Sequence, residues 1–242
     1  MSFSRARVSA VVRKELRDYR RNRFVVATMA ALPLLFITLP TIQLVAANAT
    51  AKALSLRIGL SLLYMLVVPV TMPSVVCAYA VVGEREQGTL EPVLSTPVRR
   101  EELLVAKALA AFLPTLVIAY AVFGAFLAIA AAFAHPAVVS TIFAGSHVLV
   151  QVLFTPLLAG WAIWVGVAVS SRCTDVRVAQ QLSVLGSVPP LVIVALMSLN
   201  VVPESTALAI GLAAALLAFD LLAWRVVAFM FDSERLLTGQ RR

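Results

Sequence analysis

Six apolar stretches, at residues 24–47, 58–82, 103–133, 147–170, 181–202 and 207–231, constrain this chain more than any other feature. A helix crosses a bilayer with about 20 predominantly apolar residues, whereas a spanning strand needs only about 10. With no water in the hydrocarbon layer, the backbone must satisfy its own hydrogen bonds, which a helix does within one segment. The 242 residues are 61% hydrophobic and 13% charged, against roughly 25% charged in a soluble domain. No water-soluble fold of this length buries so much apolar surface. The expected fold is an all-α integral membrane protein with six transmembrane helices in the cell membrane.

The basic residues orient it. With the N-terminus inside, the inner segments hold eighteen of the twenty Lys and Arg, counting Lys107 and Arg225 as snorkelling inward; the outer loops hold only Lys52 and Arg57. This is the bias of the positive-inside rule, and it places both termini in the cytoplasm. The net charge of +8 is thereby spent on topology, so nucleic-acid binding is not expected. Residues 1–23 form a cytoplasmic segment, 24–231 the membrane domain with a loop at 83–102, and 232–242 a cytoplasmic tail. Ala47-Asn48-Ala49 mimics a signal cleavage site. The apolar run before it exceeds the roughly 7–15 residues of a signal peptide, so it reads as a retained first span.

Before that span, Val8, Val11, Val12, Leu16 and Tyr19 recur on one helical face, and Arg7, Arg13, Lys14, Arg17, Asp18 and Arg21 occupy the other. Such an amphipathic basic helix suits the inner interface and its anionic lipids; it reads equally as a plain topogenic anchor. The loop between spans 2 and 3 carries five carboxylates and three arginines in residues 83–102. Gly88 permits a tight bend, Thr89 is placed to cap a short helix, and Thr96-Pro97 to restart the chain as cap and first helical position. Both a solvated loop and a docking site for a cytoplasmic partner fit this pattern. Seven prolines (Pro33, Pro40, Pro69, Pro73, Pro114, Pro156, Pro189) fall inside the spans, where neighbouring helices can satisfy the carbonyls they free.

The string Glu84-Arg85-Glu86-x-Gly88-Thr89-Leu90-Glu91, followed by Leu94, Thr96-Pro97 and Lys107, resembles the signature of ABC-2-type transporter permeases. Two flanking pieces are similar to the family as well: Lys14-Glu15-Leu16-Arg17-Asp18 with Arg23, and Ser171-Arg172-Cys173-Thr174-Asp175 through Ala179-Gln180-Gln181. The resemblance implies a six-span permease of an ABC exporter, paired with a second copy or a homologue and served by two separate cytoplasmic ATPase subunits. ATP and Mg would be bound on those subunits and no cofactor on this chain. It further implies that Glu84, Arg85, Glu86, Gly88, Thr89, Leu90, Glu91, Leu94, Thr96 and Pro97 form an ATPase-coupling element with a short coupling helix. The N-terminal helix, with Lys14, Glu15, Arg17 and Asp18, would lie beside it. The family often inserts re-entrant helices between spans 5 and 6, where this chain has only residues 203–206.

No GxxxxGK[ST] phosphate loop occurs, nor HExxH or GxSxG, so neither ATP binding by that loop nor those hydrolytic chemistries are expected of the chain itself. Cys77 and Cys173 lack metal or disulfide spacing, and His135 and His147 have no other ligand types nearby. Asp220 is an ionisable residue within the sixth span, where such groups face the bundle or a cavity; it reads as a substrate or proton contact, or as a helix-packing residue. A membrane-embedded lipid-modifying enzyme or an ion-gradient-driven carrier are the alternatives to an exporter of hydrophobic or amphipathic cargo.

Overall fold

The computed structural model describes residues 4–45, 51–86, 99–143, 145–198 and 206–230. Every regular element among them is helical: α1 (Arg5–Arg21), α2 (Arg23–Val45), α3 (Ala51–Ala78, continued by a π turn at Tyr79–Gly83 and a last turn at Glu84–Glu86), α4 (Arg100–Phe133), α5 (Pro136–Ile142), α6 (Gly145–Ser170), α7 (Val176–Gly186), α8 (Val188–Ser198) and α9 (Thr206–Met230). Among the described residues six segments are long and apolar enough to cross a membrane: Arg23–Val45, Leu56–Glu86, Glu101–Phe133, His147–Ser170, Val176–Met197 and Ala207–Val227.

The α3 segment is the axis of the bundle, packing against α2, α4, α6, α7 and α8. Its spanning window is 83% buried, against 17% for those of α2 and α9. The outer helices instead turn Leu34, Val117 and Ile210 outward, each more than 60% exposed. In water that surface would be an aggregation hazard; facing lipid it costs nothing. Gly166 lets α6 approach α3 closely, because a Cβ there would stand 3.0 Å from Cys77 Cβ.

Local sequence explains the breaks. Asn22, extended between α1 and α2, accepts hydrogen bonds through Oδ1 from Phe24 N at 3.0 Å and Val25 N at 3.3 Å, capping α2. Asp175 does the same for α7, accepting from Arg177 N at 2.7 Å and Val178 N at 3.0 Å. The fifth span differs from the expected single helix over 181–202. It starts earlier, at Val176, and is broken at Ser187. Pro189 therefore lies in the first turn of α8 and not in a helix interior, a position where a missing N–H is tolerated. The connection between spans 3 and 4 also carries a short helix, α5, anchored by buried Val138 and Ile142.

Two carbonyls that prolines release find side-chain donors on other helices. Pro156 cannot donate to Val152 O, and Tyr120 Oη of α4 donates to it at 3.0 Å. Pro190 cannot donate to Gly186 O, and Trp161 Nε1 of α6 donates to it at 3.2 Å. Trp161 also stacks on Phe219, with ring centroids 3.9 Å apart. Interhelical hydrogen bonds in membranes contribute about 0.6 kcal/mol on average and at most about 1.7. Tyr120→Phe and Trp161→Phe are each expected to cost that much in detergent unfolding, and Tyr120→Phe should cost less in a Pro156→Ala background, where the carbonyl regains its backbone donor. Equal costs in both backgrounds would refute the link to the proline.

Candidate functional site

At the end of the bundle where α1, the end of α3 and the start of α4 meet, charged side chains converge from three distant parts of the sequence. The apolar face of α1, with Val8, Val11, Val12, Leu16 and Tyr19, packs toward α4 and α2. Glu15 lies on that same covered face, only 2% exposed. It faces Lys107 of α4, whose Nζ donates to Glu15 Oε1 at 2.9 Å, Glu84 Oε2 at 2.7 Å and Ala80 O at 2.5 Å. All three donors of the ammonium are thus used. Lys14 donates to the other oxygen, Oε1, of Glu84, and its Nζ is 3.3 Å from Glu15 Oε1 and 3.4 Å from Asp18 Oδ2.

Lys107 does not snorkel to the surface as expected from the sequence: it is 1% exposed. The physical reason is that two carboxylates meet it inside the bundle, where an unpaired charge is costly and a paired, fully hydrogen-bonded one is tolerated. Glu84 reaches it through the π turn at Tyr79–Gly83. Such a turn holds one extra residue, so the helical turn beyond it is rotated by about 100° relative to an uninterrupted α-helix. The same turn contains Ala80, the carbonyl that Lys107 also binds. Lys14 is half-exposed; burial pulls its ammonium down, but the hydrogen bond to Glu84 and the charges of Glu15, Glu84 and Asp18 outweigh this and hold it above its ordinary value of 10.5. It is accordingly charged at neutral pH. Tyr19, beside the cluster, is pushed well above its ordinary range, first by burial and then by the charge of Glu15.

A second contact joins the start of α1 to the start of α4. Arg7 grips Glu102 with Nε on Oε2 at 2.8 Å and Nη2 on Oε1 at 2.7 Å, and Ser4 N donates to Oε1 at 2.7 Å. Glu102 also accepts from Arg99 N at 3.2 Å. Arg99 is the N-cap of α4, and Glu102, at the third position of that helix, completes the cap.

Arg85 points elsewhere. Its guanidinium donates to Cys173 O at 2.8 Å and Ser171 O at 3.3 Å, two carbonyls just past the end of α6. Helix C-termini leave carbonyls without partners and favour cations, so this arginine ties the end of α3 to the turn between α6 and α7.

Of the residues singled out in the sequence, Lys14, Glu15, Asp18 and Glu84 come together around Lys107, and Arg85 reaches the 171–173 turn instead. Arg17 and Glu86 are exposed. Gly88, Thr89, Leu90, Glu91, Leu94, Thr96 and Pro97 lie outside the described residues, as do residues 203–205. Asp220 makes no contact with this cluster among the hydrogen bonds and ion pairs above; it lies against Gly160 of α6. Sequence reasoning missed Glu102 and Arg7 as partners and the burial of Lys107. Among the described residues no group of three or more His, Cys, Asp or Glu is placed to hold a metal ion, and Cys77 and Cys173 are free thiols.

Compared with known families, residues 9–231 match the model of the ABC-2 family transporter protein. No curated protein matches the chain.

Proposed function

The chain belongs to the ABC-2 transporter family of multi-pass membrane permeases, and from that premise we propose that it is the transmembrane subunit of an exporter driven by separate ATPase subunits. The permease is a transport component and does not itself catalyse a reaction. Two cytoplasmic ATPases would bind ATP with Mg and hydrolyse it, and a second permease copy or homologue would complete the path. Hydrophobic or amphipathic cargo suits spans built largely of Ala, Leu and Val. The charge bias of the loops supports an orientation with both termini, α1 and residues 83–102 in the cytoplasm.

The observation that carries this reading is the charge cluster around Lys107. It binds α1, the end of α3 and the start of α4 into one unit at Glu84, the first residue of the 84–91 motif, while Arg85, the second, ties the end of α3 to the turn after α6. A push on residues 84–97 from a closing ATPase would be passed to three spans and the 171–175 turn as a rigid-body shift, the kind of two-state motion that couples sites in transporters. In this role Glu84, Arg85, Glu86, Gly88, Thr89, Leu90, Glu91, Leu94, Thr96 and Pro97 form the coupling element. Lys14, Glu15, Arg17 and Asp18 present the N-terminal helix beside it.

Co-expression with a candidate ATPase tests the assignment. Replacing residues 84–91 with a Gly/Ser linker is expected to abolish co-purification of the ATPase and ATP-dependent transport in vesicles. Unchanged complex formation together with unchanged transport would defeat it.

A further inference from the structure

A cavity of about 410 Å³ opens between α4, α6 and α9, on the opposite side of α4 from the Lys107 cluster. Its walls are apolar and aromatic, with Leu109, Phe112, Pro156, Leu217, Trp164 and Trp224, and among the described residues Asp220 is the one charged residue that lines it. The volume falls within the roughly 300–1,000 Å³ of small-molecule sites, which combine such walls with a few polar groups. Asp220 Oδ1 is buried and has no hydrogen-bond partner among the described residues. Among them it has no ion pair either; the next cation along α9, Arg225, is exposed and placed over the Trp224 ring at 5.7 Å.

The bundle makes room for this carboxylate. A Cβ on Gly160 would lie 2.3 Å from Asp220 Oδ2, so only glycine at that point of α6 lets the group seat where it does. A buried oxygen with no donor costs free energy, and a carboxylate in a span is costly without a counter-charge. At 1.5 Å per residue Asp220 lies roughly 10 Å from Val227, where the sixth span ends, so an amphiphile whose head meets the carboxylate keeps its chain against the apolar walls.

We propose that this cleft binds a single-chain amphiphile with a cationic ammonium head, the head against Asp220 between the Trp164 and Trp224 rings and the chain along Leu109, Phe112 and Leu217. The carboxylate supplies the counter-charge and the indole faces attract the cation as well. An anionic head meets like charge there. This site stands independently of the coupling assignment, because binding is read on the permease alone.

The chain carries its own reporters, since Trp164 and Trp224 are two of its three tryptophans. The purified chain in a neutral maltoside detergent is titrated with a brominated dodecyltrimethylammonium, and tryptophan quenching is followed. Saturable quenching is expected, competed by the unbrominated ammonium and weakened at least tenfold in Asp220→Asn. Gly160→Ala, which displaces the carboxylate without removing it, is expected to weaken binding as well and serves if Asp220→Asn does not fold. Equal affinity for a brominated alcohol of the same chain length, or for a brominated zwitterionic phospholipid, would overturn the proposal. So would full quenching in the Trp164→Phe, Trp224→Phe double variant, which leaves only Trp161.

Discussion

Replacing Lys107 with methionine is expected to cost about 3–5 kcal/mol of stability, the usual penalty for removing one partner of a buried ion pair. Methionine has a similar length and no charge, so packing changes little. The electrostatics change instead: Glu15 and Glu84, which share the ammonium at 2.9 and 2.7 Å, are left facing each other with Lys14 alone to balance them. Ala80 O, in the π turn, loses its 2.5 Å donor too. Adding Glu15→Gln to Lys107→Met should recover part of the loss, because the second change removes one of the stranded carboxylates. SDS-titration unfolding of the purified chain measures both. A cost below about 1 kcal/mol for Lys107→Met, in the range of surface ion pairs, would mean that the cluster does not hold the helices together.

Arg85→Ala is expected to depress ATP-driven transport by roughly ten- to a hundredfold while the ATPase still binds. Hydrogen bonds to a charged group contribute about 1.5–3 kcal/mol, which at about 1.4 kcal/mol per tenfold corresponds to that range in the population of the geometry they hold. Here that geometry is the link from the end of α3 to Ser171 O and Cys173 O. If the 84–91 element passes its motion to the turn between α6 and α7 through this guanidinium, losing it uncouples hydrolysis from transport. Reconstituted vesicles carrying the permease and its ATPase report both: hydrolysis persists, and cargo movement falls. Arg85→Lys should recover little, since the shorter side chain offers a single nitrogen where the guanidinium places two separate ones, Nη1 on Cys173 O and Nη2 on Ser171 O. Transport and hydrolysis falling in parallel, or neither falling, would exclude a coupling role for Arg85.

Part of the cluster was legible beforehand. In α1, Val8, Val12 and Tyr19 sit at spacings that include position 15, so Glu15 lies on the apolar stripe and needs a partner. Lys107 interrupts an apolar run eight residues into α4 and needs one too. Each anomaly was readable alone; that each is the other's solution was not, because they are 92 residues apart. Glu102 gave no such signal, since a glutamate near a helix start is ordinary. Its grip on Arg7 depends on where α1 docks. The fifth span was misjudged for a related reason. Apolar continuity from Val188 onward hides the break that Pro189 and Pro190 impose, and the break is viable only because Trp161 of another helix supplies the missing donor.

The six spans and the family resemblance were determined by the sequence itself. Crossing a bilayer is a condition on length, apolarity and internal hydrogen bonding, and each of these is local to a segment. Which charge meets which was decided only by the tertiary structure. Inside a low-dielectric bundle the position of Lys107 is set not by its own preference for water but by whether Glu15 and Glu84 arrive beside it. That depends on the docking of α1 and on one π turn at the end of α3.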